Sequence, residues 1–307
     1  MNVTRLRYLI RRFFHGLKND NIFVVLIKIF KTIFYSNKID LDKLNIDKNS
    51  TLDDLFLQFG TYKASLDGKK TYHYLEKYAD EGKKFKNYYE WINRKNLRSF
   101  NYQFGVNYTP YYEKYLGPLR HKSLKILETG AANGHSVAGL FYYFPNSEIH
   151  AVDIKKNYNF FYKGKRINYH SLNLMDDKAV NKFITKNNKF DIIIENALYE
   201  HKFQTICIKN FYPTLNPGGI YILEHFAHND WLQEAEKKYN EDAGKKIMHN
   251  WTSSMREIFD FIKNKKMFKH EILKENVLKY IFDTTDNVEV HYGPHPCGSM
   301  GILFKKS

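Results

Sequence analysis

From residue 124 onwards, short apolar blocks alternate with longer stretches of mixed polarity. The blocks FDIIIE and IYILE are apolar on successive residues, which is typical of strands buried on both faces. The stretches at 135–143 and 202–212 have the length and spacing of helices. Strands that alternate with helices predict an α/β fold, with a Rossmann-like, doubly wound and mostly parallel sheet. The strands are predicted at 124–129, 149–153, 167–170, 190–195 and 220–224.

The end of the chain carries a second set of predicted elements. Two helices are expected around 231–241 and 252–266, and two closing strands near 288–292 and 299–305. Because these elements follow the sheet directly, we assign residues 121–307 to one domain.

Helical patterns dominate the first 120 residues, which we assign to a separate, basic N-terminal region. Leu52, Leu55 and Phe56 share one helical face, and Ser50 or Thr51 precedes them as a cap. Further helices are predicted at 4–18, 22–34 and 111–116.

Residues 4–18 form a basic amphipathic helix in this prediction. Their apolar positions fall on one stripe, and the segment has five cations and no acidic residue. Such a helix either packs on the body of the protein or lies on an anionic membrane surface. Both interpretations stay open at this point.

Composition narrows the class of protein. The chain has 307 residues, of which 43% are hydrophobic, so it is not a disordered chain. Two cysteines exclude a disulfide scaffold, and Cys207 lies in an apolar helical stretch where we expect it in the core. No uncharged apolar run reaches about 18 residues, so no transmembrane helix is predicted. We expect a cytoplasmic protein, with peripheral membrane contact through residues 4–18 as the alternative.

The net charge is +15, from 48 Lys and Arg against 33 Asp and Glu. A basic surface attracts polyanions, although lysine codons of an AT-rich genome would give the same excess. Lysines and tyrosines interleave in residues 68–120, which is compatible with stacking on nucleic acid or with ordinary helix surfaces. We prefer the second interpretation and expect no nucleic-acid partner.

The most informative motif is LKILETGAANGHS at residues 124–136. Small residues from Gly130 to Gly134 let the backbone approach a ligand between a strand and a helix N-terminus. Asp153 ends the next predicted strand, 19 residues after Gly134, where a carboxylate can accept both hydroxyls of a ribose. The pair predicts a site for a cofactor that contains a nucleoside.

The spacing of this motif does not match the G-x-G-x-x-G of dinucleotide-binding proteins. It resembles motif I of class I S-adenosylmethionine-dependent methyltransferases. The segments NYTPYYEKYLGPLRHKSLKILETG and FDIIIENALYEHKFQTICIKNFYPTLNPGGIYILEHF further resemble sugar and macrolide O-methyltransferases, the group that includes cephalosporin-hydroxylase-like proteins. The resemblance covers roughly residues 107–226.

The resemblance implies S-adenosyl-L-methionine as cofactor. In chain order, it places four residues around the methionine moiety, one on the ribose hydroxyls and two on the adenine side. These residues are Glu128, Gly130, Ala132, Gly134, Asp153, Asn173 and Asp176.

The same resemblance implies a divalent metal such as Mg²⁺ at acids that end two strands. Here the set would be Glu195, Glu224 and His225, where family members have further acids. A histidine suits Mn, Fe or Zn better than Mg²⁺. The site therefore binds a metal, uses His225 as a general base, or has lost the metal.

Methyl transfer to a hydroxyl requires that a proton be removed, which a histidine does well near neutral pH. We expect His201 and His225 in this role, with Tyr199 as an orienting group. The expected acceptor is a hydroxyl of a sugar, a glycosylated small molecule or a glycan. The alternatives are an RNA methyltransferase and a noncatalytic, membrane-associated protein that binds the cofactor. His291, His295 and Cys297 are either zinc ligands or part of an ordinary loop.

Overall fold

The computed structural model describes residues 38–59, 61, 63–64, 107–155, 160–187, 189–197, 201–226, 255–266, 268–270, 272–292 and 299–307. Several predictions fall outside these residues. They concern the helices at 4–18, 22–34 and 231–241, and the side chains of Tyr199, His295 and Cys297.

A seven-stranded sheet forms the centre of the described chain. Its order is β5-β3-β2-β6-β7-β9-β8, and β9 alone runs antiparallel to its neighbours. A short pair, β1 with β4, lies apart from it. The strands are β1 (Ile39–Asp40), β2 (Lys125–Thr129), β3 (Glu148–Asp153), β4 (Tyr162–Lys163), β5 (Ile167–Ser171), β6 (Phe190–Glu195), β7 (Leu215–Glu224), β8 (Thr285–His291) and β9 (Met300–Lys305). The mostly parallel, doubly wound sheet predicted from the sequence is confirmed.

Helices cover both faces of the sheet. They are α1 (Leu52–Phe59), α2 (Thr109–Leu116), α3 (His135–Tyr143), α4 (Asp177–Asn187), α5 (His201–Phe211), α6 (Met255–Lys263) and α7 (Glu275–Thr284). Thr51 caps α1 as predicted, since its hydroxyl accepts the backbone N–H of Asp54 at 3.1 Å. The side chain of Asp54 accepts the N–H of Thr51 in return at 3.0 Å, which completes a reciprocal cap.

The alternation of side chains along the strands divides the core in two. Ile126 and Ile222 pack with α1, α2 and α3 on one face, which we call the front face. Leu127 and Leu223 pack with α4, α5, α6 and α7 on the back face. Each fully buried Leu or Ile stabilises the fold by about 1.5–3 kcal/mol. Cys207 lies in the back core, as predicted from its apolar surroundings.

The structure contains α4, β1 and β4, which were not predicted, and it differs from the predicted elements in two further places. Helix α7 was not predicted, and β7 begins at Leu215 rather than at residue 220. These two differences lie where the apolar pattern is interrupted, in α7 by the charged Lys279 and in β7 by the turn-forming Pro217 and Gly218. The domain boundary predicted at residue 120 stays a prediction, and α1 and α2 from before it pack into the front core.

Within the part of the chain that the structure describes, no helix is long and apolar enough to span a bilayer.

Candidate functional site

Three strands end side by side at the carboxyl edge of the sheet. Thr129 of β2 pairs with Glu195 of β6, and Glu195 pairs with Leu223 of β7. The chain order reverses between β2 and β6, and open parallel sheets bind their ligands in the crevice at such a switch point. The motifs singled out in the sequence therefore meet at one edge.

The turn after β2 has three residues in the left-handed region: Gly130 at φ 75°, Ala132 at 49° and Gly134 at 88°. A Cβ atom at Gly130 would lie 2.5 Å from Cα of Ala197 and closer still to the carbonyl oxygen of Asn196. Glycine is thus required where this turn crosses the end of β6. The turn leads into the N-terminus of α3, where backbone N–H groups favour an anionic or polar ligand.

Asp153 ties this turn to the end of β3. Its Oδ2 accepts the backbone N–H of Ala132 at 2.8 Å, and its Oδ1 accepts that of Lys155 at 2.9 Å. The side chain is partly exposed, and a carboxylate has about four lone pairs, so acceptor capacity remains for two hydroxyls. These features fit the nucleoside cofactor predicted from the sequence.

Asn173 and Asp176 are exposed and serve local turns in the described chain. Asn173 accepts the N–H of Met175 at 3.1 Å, while Asp176 accepts those of Lys178 and Ala179 at the start of α4. Their predicted role beside adenine stays a prediction.

A buried ion cluster, which the sequence did not predict, lies on the front face. Lys63 donates to Oε1 of Glu128 at 2.6 Å and to Oε1 of Glu224 at 2.9 Å. Tyr112 donates a short hydrogen bond to the same Oε1 of Glu224, and Ser136 donates to both oxygens of Glu128 at 2.7 and 2.8 Å. The side chains of the lysine and both acids are at most 1% exposed. We call Lys63, Glu128, Glu224 and Tyr112 the lysine cluster.

The charges of this cluster support one another. Burial disfavours the ammonium form of Lys63, but the carboxylates of Glu128 and Glu224 outweigh burial and raise the pKa of the lysine. Burial also raises the pKa of Glu224, against the opposing effects of Lys63 and Tyr112. No pattern in the sequence pointed to Lys63, because it stands 65 residues before Glu128 in a chain rich in lysine.

Backbone hydrogen bonds fix the position of Lys63. Its carbonyl oxygen accepts the N–H of Tyr108 at 3.0 Å, and that of Ala64 accepts the N–H of Asn107 at 3.3 Å. The lysine is thus anchored directly beside the start of α2, the helix that supplies Tyr112.

His225 follows β7 and is fully buried with φ 57°, an uncommon conformation for a residue with a side chain. Its backbone N–H donates to the hydroxyl of Tyr108 at 2.8 Å, and that hydroxyl donates to the carbonyl of Ser299 at 3.3 Å. The rings of His225 and Tyr108 meet edge to face at 5.8 Å. Strained backbone held by its surroundings is typical of functional sites.

His201 occupies a different position, at the first residue of α5 on the back face. Its Nδ1 accepts the backbone N–H of Met255 at 3.1 Å, which joins α5 to α6. The proton of the neutral ring is therefore assigned to Nε2. The catalytic roles predicted for His201 and His225 stay predictions.

The structure does not bring the predicted metal set together. Glu195 pairs with Leu223, so Glu224, the next residue, points to the opposite face of the sheet. Glu224 contacts a lysine and a tyrosine hydroxyl instead of further acids. Within the described ranges, no group of three His, Cys, Asp or Glu side chains is arranged to hold a metal ion. Among the described residues, the predicted set of Glu195, Glu224 and His225 does not fit a divalent metal.

His291 contacts aromatic rings, and its role as a zinc ligand stays a prediction because His295 and Cys297 lie outside the described residues. Its ring stacks on Tyr111 at 4.2 Å, and its Nε2 is 2.7 Å from the hydroxyl of Tyr115.

Known proteins are similar to this chain in sequence. A family model described as methyltransferase domain matches residues 120–285. Two curated proteins of Streptomyces olivaceus are similar to part of the chain. One, 8-demethyl-8-alpha-L-rhamnosyl tetracenomycin-C 2'-O-methyltransferase, is 24% identical over 143 residues, which are 44% of this chain and 37% of that protein. The other, 8-demethyl-8-(2-methoxy-alpha-L-rhamnosyl)-tetracenomycin-C 3'-O-methyltransferase, is 27% identical over 126 residues, 38% of this chain and 31% of that protein.

Among solved structures, the fold is similar to that of the MycE methyltransferase from the mycinamycin biosynthetic pathway, in complex with Mg and SAH. The TM-score is 0.50 at 17% identity, over 68% of this chain and 52% of that one. The match covers only about a third of the length of each curated relative.

Proposed function

This chain belongs to the methyltransferase domain family, and we propose that it is an S-adenosyl-L-methionine-dependent O-methyltransferase. The proposed acceptor is a hydroxyl of a sugar, of a glycosylated small molecule or of a glycan. The observation that carries the proposal is the carboxylate of Asp153, hydrogen-bonded at 2.8 Å to the glycine-rich turn at the switch point of the sheet. That arrangement presents backbone N–H groups and a ribose-binding acid to one crevice.

In this proposal, some residues of the site hold the cofactor and another accepts the proton. The cofactor, when bound, supplies an electrophilic methyl group on a sulfonium. The turn at 130–134 and Asp153 hold its amino-acid and ribose portions. His225, which follows β7, accepts the proton of the acceptor hydroxyl. The oxygen then forms the new C–O bond as the bond between sulfur and the methyl carbon breaks, and S-adenosylhomocysteine is the leaving group. The crevice must hold that oxygen in line and about 3 Å from the methyl carbon.

The sugar acceptor is supported by the two curated relatives, whose names both specify O-methylation on a rhamnosyl group. An RNA acceptor has no such support.

Titration of the purified chain with S-adenosylhomocysteine tests the cofactor. We expect binding by the wild type and a loss of about tenfold to a hundredfold in Asp153→Ala, since two charge-assisted hydrogen bonds disappear. Asp47→Ala is the matched control, because Asp47 also accepts the backbone N–H two residues later, at 2.9 Å, in an exposed turn. No binding by the wild type, or equal binding by Asp153→Ala, contradicts the proposal.

Incubation with labelled cofactor and a panel of methyl glycosides, including methyl α-L-rhamnoside, tests the acceptor. We expect a methyl group on a ring hydroxyl of at least one glycoside. Transfer to RNA, with none to glycosides, contradicts a sugar acceptor and leaves the cofactor assignment intact.

Peripheral contact with anionic membranes through residues 4–18 is a further part of this proposal, supported by the basic amphipathic pattern of that segment. Flotation with vesicles that contain phosphatidylserine, with and without residues 1–35, tests it. Equal flotation of both forms contradicts the contact.

A further inference from the structure

The lysine cluster holds a cation between acids of two different strands. Glu128 belongs to β2 and Glu224 to β7, and Ile194 of the intervening strand β6 pairs with Glu128. Nζ of Lys63 contacts both carboxylates within 2.9 Å. Two negative charges on one buried face of a sheet require a positive charge nearby, because burial of unpaired ions is very costly.

A divalent metal is the usual alternative for a pair of acids at a sheet edge, but this cluster does not suit one. Mg²⁺ takes about six oxygen ligands in near-octahedral geometry, usually one or two carboxylates and several waters, and each ligand must turn a lone pair towards the ion. Here one oxygen of Glu224 accepts from both Lys63 and Tyr112, and both oxygens of Glu128 accept from Ser136. Three of the four carboxylate oxygens therefore accept from donors of this chain, and the ammonium of Lys63 lies between the two acids. Oε2 of Glu224 has no hydrogen-bond partner among the described residues.

We propose that the ε-ammonium of Lys63 is the resident cation of this site, where it binds Glu224, an acid of the predicted metal set, together with Glu128. The inference rests on the proposed function, and it makes binding of the cofactor independent of metal. Lys63 acts as a positioning residue. It joins Glu128, two residues before the glycine-rich turn, to Glu224, the residue before His225, so that cofactor and proton acceptor keep their relative place.

Two neighbours show that the lysine is built into the site. The backbone of Lys63 is bonded to Tyr108, whose hydroxyl in turn accepts the N–H of His225. The next turn of α2 supplies Tyr112, which binds the carboxylate that Lys63 binds. Lys63 thus contacts β2 and β7, which lead to the turn and to the histidine, and the residue before α2.

Metal binding by the wild-type protein is the primary test, and it does not depend on the folding of a variant. Free Mn²⁺ gives a sharp paramagnetic resonance spectrum that is lost on binding. We expect the spectrum to persist when wild-type protein is added, with or without S-adenosylhomocysteine. Stoichiometric loss of the signal that Glu224→Gln abolishes overturns the proposal. If the Mn²⁺ signal is lost equally with wild-type protein and with Glu224→Gln, the metal binds elsewhere on the chain. That outcome supports the proposal, as does a signal that persists.

Cofactor affinity separates this inference from the proposed function. We expect the same affinity for S-adenosylhomocysteine, within about twofold, in a chelator and in excess Mg²⁺. Binding that requires Mg²⁺ overturns the proposal about Lys63 alone. Failure to bind in both conditions contradicts the proposed function instead.

Replacement of the ammonium supplies a readout that a purely structural lysine would not give. Lys63→Ala should lower the midpoint of thermal unfolding and weaken binding of S-adenosylhomocysteine, and ethylammonium should restore both more than sodium does at equal ionic strength. Lys43→Ala is the control, since Lys43 is 81% exposed and pairs weakly with Asp40 at 3.9 Å. Equal responses of Lys63→Ala to ethylammonium and sodium overturn the role of the ammonium group.

Discussion

Glu195 and Glu224 end neighbouring parallel strands, yet their carboxylates lie on opposite faces of the sheet. Glu195 pairs with Leu223, and the pleat turns the following residue to the other side. On the back face the charge of Glu195 adds to burial in raising the pKa of Cys207 and Tyr221, whereas on the front face Glu224 binds Lys63 and Tyr112. The two acids therefore work in separate environments.

Tyr112→Phe tests how far the front-face cluster depends on its hydroxyl. The change removes one of the two groups that donate to Glu224 and leaves the ring packing intact. We expect the free energy of unfolding to fall by about 1–3 kcal/mol, because a buried carboxylate loses a donor. Urea denaturation measures the change. Tyr115→Phe, at a partly exposed hydroxyl, is the control and should cost less; equal costs would show that the cluster gains nothing from Tyr112.

Gly130 and Gly218 form a matched pair for the glycine-rich turn. Both have positive φ, at 75° and 71°, but a Cβ at Gly218 would meet nothing nearer than the Ser307 hydroxyl at 3.6 Å. Gly218→Ala should therefore cost only the backbone strain, about 1 kcal/mol. Gly130→Ala should cost more and also abolish binding of S-adenosylhomocysteine, since the turn must move away from β6. Unfolding by urea and cofactor titration measure both effects, and cofactor affinity unchanged in Gly130→Ala would refute a tight turn.

His225 and His201 should differ in their effect on catalysis. Replacement of His225 by Asn should lower kcat on a glycoside that the wild type methylates by about a hundredfold or more, because the proton acceptor is lost. The affinity for S-adenosylhomocysteine should change little. His201→Asn should mainly lower thermal stability, since the ring of His201 joins α5 to α6. The reverse pattern, with His201 decisive for kcat, would contradict the assignment of His225.

The stability of the fold should fall on mild acidification because of a stacked pair of histidines. The rings of His150 and His170 are 5.2 Å apart and parallel within 4°. Burial, reinforced by the charges of His150 and Lys186, lowers the pKa of His170 from 6.5 to about 4. Between these values the unfolded chain binds a proton that the folded chain does not. The free energy of unfolding therefore has its full value above pH 6.5, and it decreases as the pH falls towards 4.

Because the His170 ring is only partly buried, we expect this loss to amount to about 1–2 kcal/mol. Thermal unfolding at several pH values measures it, and His170→Asn should flatten the profile in that window. His121→Asn, at an exposed histidine, is the control. A wild-type profile as flat as that of His170→Asn would contradict the shift.

The sequence predicted those parts of the fold whose signal is local. Helix α3 and strand β6 begin and end where expected, because a run of apolar residues and a glycine-rich turn set their limits. Helix α7 escaped prediction because its polar residues weaken the apolar spacing over ten residues. Glycines and an acid after strands likewise predicted the edge where the cofactor turn lies, since parallel strands end together.

The rest of the site depends on contacts between distant segments. Lys63 binds Glu128 and Glu224 only because α1 and α2 fold over the front face, and no spacing along the chain encodes that meeting. The sequence could not predict the separation of Glu195 from Glu224 either, because it follows from the register of β6 against β7. The residue types alone suggested a metal site, but the pleat of the sheet places Glu195 and Glu224 on opposite faces.

Two backbone hydrogen bonds, from Tyr108 to Lys63 and from Asn107 to Ala64, also determine how the site tolerates changes in chain length. Ala64 and Asn107 are therefore held side by side by residues that the structure describes, so the position of Lys63 against α2 does not depend on the length of chain between them. For a stretch whose two ends are joined in this way, doubling the length adds only about 0.6 kcal/mol of closure entropy. We expect variants that differ in length between residues 64 and 107 to keep Lys63 between Glu128 and Glu224.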